Sequence, residues 1–268
     1  MVKPRRHKFE FNDSTATPLA LKENIVEALS RGLELGGILD GVALPFAAFI
    51  KAAKVKQVLD LCSGAGRPVR ILAQALKQAG GEVPKFLLTD KMPHPHAWSS
   101  LQRELPETIQ FVPTSVDATA VAADLSANRA RLIINALHHF PPAAASALFA
   151  DATRQQAPIF IVECFERGYR NFLPMLPYLF MAHQVNPIFA PRRKLAKAFL
   201  TWMTPIGACA GLWDGLVSSM RVYSEDELRL MVAEYGHEYD WSYGTFDFKL
   251  GGRGYYFQGI PIPRAARA

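Results

Sequence analysis

The chain is poor in cysteine, carries no long unbroken apolar run, and has no internal repeat or low-complexity block. Its 268 residues include three cysteines, Cys62, Cys164 and Cys209. None stands in a Cys-x-x-Cys pair and three cannot all bridge one another, which argues against a disulfide framework. Reduced thiols in a cytoplasmic compartment are the simplest reading. A lipid-spanning helix needs about 20 consecutive apolar residues. The uncharged stretch from Ala198 to Trp213 is shorter and is broken by Pro205, Gly207 and Gly211, so no transmembrane span is expected. The charged N-terminus leads into polar Asn12–Thr17 and not into the apolar core of a secretory signal. His94-Pro95-His96 offers two imidazoles without a matching cysteine or acid pair, so no metal centre is expected.

What the chain does have is hydrophobic content and positive charge. Half of it is hydrophobic, enough for one sizeable core carrying an elaboration, and the net charge is +6. The positive residues gather at the ends, as Lys3, Arg5, Arg6 and Lys8 and as Arg264 and Arg267, and in one internal patch of Arg192, Arg193, Lys194 and Lys197. Terminal basic arms without an RNA-binding signature read as solvated tails, which makes nucleic acid an unexpected partner.

The most informative stretch is Val58-Leu59-Asp60-Leu61-Cys62-Ser63-Gly64-Ala65-Gly66, followed by Arg67-Pro68 and a helical pattern. It reads as a buried strand ending in a carboxylate, a glycine turn and a helix start, a unit that binds adenosine-containing cofactors. A dinucleotide fingerprint would have glycine where Val69 stands, and Asp60 would repel a pyrophosphate while attracting an ammonium or sulfonium group. Further strands are expected at Lys85–Asp90, Ile109–Pro113, Arg131–Ala136 and Pro158–Cys164. Helices are expected at Pro68–Gln78, His96–Glu104, Thr119–Leu125 and Pro142–Gln155, with Pro68 and Pro142 suited to a first helical turn. Alternation of this kind predicts a mostly parallel sheet.

Asp60-x-x-x-Gly64-x-Gly66 resembles the first motif of the class I S-adenosylmethionine-dependent methyltransferases. Lys85-Phe86-Leu87-Leu88-Thr89-Asp90 resembles their second strand with its terminal acid, and Asp117-Ala118 their adenine-reading position. Asn135-Ala136-Leu137-His138-His139 resembles the end of their fourth strand in small-molecule enzymes. The resemblance covers residues 55–165 well and the rest weakly. It implies a doubly wound α/β, Rossmann-like sheet of seven strands, mostly parallel with an antiparallel last strand, plus N-terminal helices and a helical cap insertion. The organisation it suggests is a flexible arm at 1–18, helices at 19–54, a cofactor-binding core at 55–167, an apolar cap or insertion at 168–223 and a closing helix and strand pair at 224–268. It assigns S-adenosyl-L-methionine, with S-adenosyl-L-homocysteine as product, to Asp60, Leu61, Cys62, Ser63, Gly64, Gly66, Asp90, Lys91, Asp117, Ala118, Asn135 and Ala136. In the family an acid placed like Asp90 bonds the two ribose hydroxyls.

Methyl transfer depends mainly on holding the acceptor and methyl group in line, with a general base useful for a hydroxyl acceptor. His138, His139 and Glu163 are the catalytic candidates, and Asp214 is a further carboxylate in a stretch, Trp213 to Ser224, that reads as a linker. Each has a structural alternative: the histidines as packing groups, Glu163 as a partner of Arg167 or Arg170, Asp214-Gly215 as a turn. The expected acceptor is a small apolar or aromatic molecule, methylated on oxygen in preference to nitrogen or carbon because a histidine pair can deprotonate a hydroxyl. An NAD-linked oxidoreductase and a non-catalytic, methyltransferase-like module for membrane surfaces or protein partners stay open. The apolar, proline-rich segment 168–217 admits a substrate cap, an oligomer interface such as a homodimer's, or a membrane-surface anchor using the adjacent basic patch. Finally, Ser224-Glu225-Asp226-Glu227 is a capping box, and two aromatic-rich strands, Glu238–Tyr243 and Gly254–Ile260, flank a turn at Gly251-Gly252.

Overall fold

The computed structural model describes residues 5–6 and 8–263; the basic residues Lys3, Arg264 and Arg267 lie outside them. Two helices, α1 (Leu19–Leu35) and α2 (Ala43–Ala53), precede strand β1 (Gln57–Asp60). Strand and helix then alternate through α3 (Arg67–Gln78), β2 (Lys85–Leu88), α4 (Pro95–Glu104), β3 (Ile109–Phe111), α5 (Ala123–Ser126), β4 (Arg129–Ile134), α6 (Pro142–Arg154) and β5 (Ile159–Glu163). Helices α7 (Tyr169–Phe172), α8 (Leu176–Phe189), α9 (Lys194–Ala198) and α10 (Ile206–Arg221) follow without a strand. Helix α11 (Glu225–Met231) and the hairpin β6 (Tyr239–Phe248) and β7 (Gly252–Pro261) end the fold.

The described residues form two compact units, one comprising residues 39–164, 223–246 and 255–263, the other residues 5–6, 8–38, 165–222 and 247–254. The first is built on a seven-stranded sheet of order β3-β2-β1-β4-β5-β7-β6. Strands β1 to β5 pair in parallel, and β7 runs antiparallel to β5, with Glu163 opposite Tyr255. The central strands are apolar without alternation because both faces are covered: Val58, Leu59, Leu132, Ile133, Ile161 and Val162 are all buried. Phe46 and Phe49 of α2 each pack 5.1 Å from Phe160 of β5, ring centre to ring centre. Strand order reverses between β1 and β4, so the loops leaving these neighbours diverge and open a crevice at their C-terminal ends, where open α/β sheets bind ligands.

Two local expectations change. The helix expected at Thr119–Leu125 shrinks to the single turn α5, because the Asp117 carboxylate accepts from the backbone and hydroxyl of Thr119 and holds a turn there instead. The strand expected at Glu238–Tyr243 runs on to Phe248, its hairpin closed by Gly251 at φ +74°. The capping box forms in full: Ser224 Oγ accepts from the Glu227 backbone at 3.4 Å, and Glu227 Oε2 accepts from the Ser224 backbone at 2.9 Å.

In the second unit, α1 packs with α8 and α10, and a polar thread runs through the apolar helices. Asn186 Nδ2 donates to Asn24 Oδ1 (2.8 Å) and Glu27 Oε2 (3.1 Å), while Arg31 Nε donates to Asn186 Oδ1 (2.9 Å). Lys197, read from sequence as part of a surface patch, is buried and paired with Glu27 (2.8 Å) and Glu23 (3.2 Å), since an ammonium removed from water needs its counter-charges close by. Trp213 to Arg221 is helical and not a linker. Asp214, buried in α10, accepts from the backbone of Phe11 (2.8 Å) and Asn12 (2.9 Å), tying down the segment before α1.

Candidate active site

The site is built at the ends of β1, β2 and β4. Asp60 closes β1, and its backbone oxygen accepts from the Thr89 backbone (3.0 Å), the Thr89 hydroxyl (2.8 Å) and the Ser63 hydroxyl (3.0 Å). The chain then turns over Cys62 (φ +63°), Gly64 (φ +51°) and Gly66 (φ +79°), with Gly66 N donating to Ser63 O at 2.7 Å before α3 begins. Any side chain on Gly66 is strained here, because the backbone is left-handed and enclosed. A Cβ on it would lie 2.7 Å from Leu101 Cδ1 and 2.9 Å from Leu88 Cδ1.

Asp90 ties the two strand ends together: its Oδ2 accepts from Gly64 N and its Oδ1 from Met92 N, both at 2.8 Å. Each carboxylate oxygen keeps acceptor capacity beyond these bonds. Asp60 is different. It is buried, and its Oδ2 has no hydrogen-bond partner among the described residues. Burial pushes its carboxyl up to about 8, with the Ser63 hydrogen bond opposing and the charge of Asp90 adding to the rise. A buried carboxyl with an unmet oxygen beside a second acid is a place a cation would stabilise.

Asp117 accepts from Lys91 Nζ at 3.1 Å, and its carboxyl is held down at about 2 by the Thr119 bonds first and by Lys91. Ala118 beside it is buried. Across the crevice, Asn135 ends β4 in a left-handed conformation (φ +50°), and its Oδ1 accepts from Cys164 N at 3.3 Å. Two non-glycine residues, Cys62 and Asn135, thus hold strained backbone at the tips of adjacent strands, as functional loops often do.

After Ala136 the chain enters a tight turn at Leu137–His139. Glu163, at the end of β5, is fully buried: its Oε1 accepts from the His138 backbone (3.0 Å) and its Oε2 lies 2.7 Å from His138 Nδ1. A carboxylate at that nitrogen places the ring proton on Nδ1 and leaves Nε2 as the basic atom. His139 is half-buried, with its ring centre 4.2 Å from that of His138. The cofactor candidates Asp60 to Gly66, Asp90, Lys91, Asp117 and Ala118 therefore cluster around β1 and β2, while Asn135, Ala136, His138, His139 and Glu163 form a second group at β4 and β5.

Two positioning residues were not evident in the sequence. Trp98 Nε1 donates to Gly64 O at 2.8 Å, and Tyr223, from a distant part of the chain, donates to Phe140 O at 2.6 Å just past the histidines. Trp98 carried only its helical spacing as a signal; Tyr223 carried none.

An O-methyltransferase from neocarzinostatin biosynthesis, solved with S-adenosyl-L-homocysteine and 1,4-dihydroxy-2-naphthoic acid, superposes with a TM-score of 0.50 at 13% identity, over 91% of this chain and 58% of that one. The chain has the class I methyltransferase fold. A putative O-methyltransferase from Nostoc punctiforme gives a TM-score of 0.49 at 12% identity over 96% of this chain and 64% of that one. The methyltransferase domain of a bacterial protein, CtHen1, gives 0.47 at 12% identity over 82% and 97%. This chain thus spans less than two thirds of the length of either O-methyltransferase. No protein-family model and no curated protein matches the sequence.

Proposed function

We propose that this chain binds S-adenosyl-L-methionine and methylates a hydroxyl of a small apolar or aromatic acceptor. The observation that carries the reading is the pair of acids at adjacent strand tips, Asp60 with its unmet buried oxygen and Asp90 with spare acceptor capacity, around the Gly64–Gly66 turn at the switch point of the sheet. Asp60 supplies the counter-charge for the cofactor's ammonium group. Asp90 accepts from the ribose hydroxyls, and the Asp117-Ala118 turn meets the adenine. Leu61 to Gly66, Lys91, Asn135 and Ala136 line the remainder. When bound, the cofactor supplies an electrophilic methyl group. The protein's part is to orient the acceptor and to take its hydroxyl proton.

His139 receives that proton in this reading, because it is the less buried of the two imidazoles. Glu163 acts through His138 as a positioning residue, fixing the ring against which His139 packs. An NAD-linked oxidoreductase is disfavoured by Val69, which fills with a buried side chain the place of the third glycine.

Calorimetric titration with S-adenosyl-L-methionine and S-adenosyl-L-homocysteine tests the proposal. One-site binding, lost or greatly weakened in Asp90→Ala, is expected, followed by transfer of labelled methyl to phenolic acceptors. Absence of binding by the folded protein would overturn it.

A further inference from the structure

Residues 167–213 contain no Asp or Glu, yet include Arg167, Arg170, Arg192, Arg193, Lys194 and Lys197. On α8, Pro177, Gln184 and Ile188 lie three or four residues from Phe180, Met181 or one another, and the five share one outward stripe, apolar except for Gln184. Trp202 continues the stripe, for its indole Nε1 donates to Gln184 O at 3.0 Å while half of the side chain stays exposed. Phe189 at the end of α8, Leu195 on α9, and Phe199 and Met203 in the helical turn after it add to the face, with Leu195 88% and Met203 75% exposed.

The charges in this segment divide into two kinds. Arg193 and Lys197 face Glu23 and Glu27 of α1 and are neutralised there. Arg192 and Lys194 are exposed and make no ion pair among the described residues.

We propose that this face, the outer stripe of α8 with residues 188–206, docks on the surface of an anionic phospholipid bilayer. Cations standing among exposed apolar and aromatic side chains fit a bilayer interface, where the chains enter the acyl boundary and the cations meet lipid phosphates. A second copy of the chain is a poorer occupant. Pairing like patches would bury Arg192 and Lys194 with no acid of their own segment to meet them, and burying cations without counter-charges is costly. Among the described residues no single helix is long and apolar enough to cross a membrane, and Lys194–Met203 and Ile206–Arg221 meet at an 84° bend, so the proposal lays this face on the bilayer surface.

Co-sedimentation of the full chain with phosphatidylcholine vesicles, with and without phosphatidylglycerol, tests the proposal independently of methyl transfer. Binding should require the anionic lipid and weaken with salt. Arg192→Glu with Lys194→Glu should weaken it about 30-fold or more, at about 1 kcal/mol per basic side chain near an anionic surface. Leu195→Glu with Met203→Glu should remove it while the far-ultraviolet circular dichroism and melting temperature stay unchanged, since both residues are exposed. Three results would overturn the proposal: no sedimentation of folded wild type with anionic vesicles, sedimentation indifferent to the charge substitutions, or a dimer by light scattering that Leu195→Glu dissociates without any lipid binding.

Discussion

The burial of Asp60 leads to a proton count. Its carboxyl is raised from 3.8 to about 8, so below pH 4 it is protonated in both folded and unfolded chains and has no effect on stability. Between pH 4 and 8 the unfolded chain ionises it and the folded one does not, so stability is lost as pH rises, by as much as about 6 kcal/mol at pH 8 and above. At pH 7 most folded molecules carry the proton, and well above pH 8 most have lost it. A cationic cofactor group set against Asp60 favours the carboxylate and expels this proton. Titration with S-adenosyl-L-homocysteine in buffers of different ionisation enthalpy measures the release, and Asp60→Asn isolates it from protons the ligand itself exchanges. The wild type minus variant difference should approach one proton near pH 7 and shrink towards zero as pH rises well above 8. The variant should bind about ten- to a hundredfold more weakly, having lost a charge-assisted contact, yet unfold at higher temperature than wild-type apoprotein at pH 8. Equal proton counts for the two proteins at pH 7, with binding intact, would refute the placement of a cation at Asp60.

Three further outcomes follow from the same geometry. Gly66→Ala puts a Cβ into Leu101 and Leu88 at a left-handed backbone position and should cost about 2–4 kcal/mol in urea unfolding; a loss under about 1 kcal/mol would contradict the described turn. Asp214→Ala strands the backbone donors of Phe11 and Asn12 and should cost about 2–3 kcal/mol, with amide exchange at those two residues sharply faster. Glu163→Gln should lower kcat about a hundredfold and leave the dissociation constant for S-adenosyl-L-homocysteine unchanged; an unaltered kcat would remove the His138–Glu163 pair from the chemistry.

The group around the glycine turn in the candidate site was legible because its signals are local. A strand ending in Asp60, a glycine turn and a helix opening with Pro68 are set by residues adjacent in sequence, and the same holds for Asp90 and for the capping box at Ser224. The helix expected at Thr119 gave way to another local feature, the turn that Asp117 holds by accepting from the Thr119 backbone and hydroxyl. The group at the ends of β4 and β5 was less legible. Glu163 could be seen to end a strand, but its partner is His138, which β4–β5 pairing brings alongside it, and not Arg167 or Arg170. Asp214 had the composition of a turn and sits inside a helix, where backbone donors from the distant segment at Phe11 reach it.

By itself the sequence determined the alternation of strand and helix from Gln57 to Glu163, the glycine turn and the two acids beside it, because hydrophobic period, proline, glycine and caps act over a few residues. Only the tertiary structure decided which charges remain available. It buried Asp60 with an unmet oxygen, spent Glu163 on His138, and neutralised Arg193 and Lys197 against Glu23 and Glu27 while leaving Arg192 and Lys194 exposed. Whether a charge is desolvated or paired depends on neighbours that chain folding brings from far away, and no spacing rule along the chain encodes that.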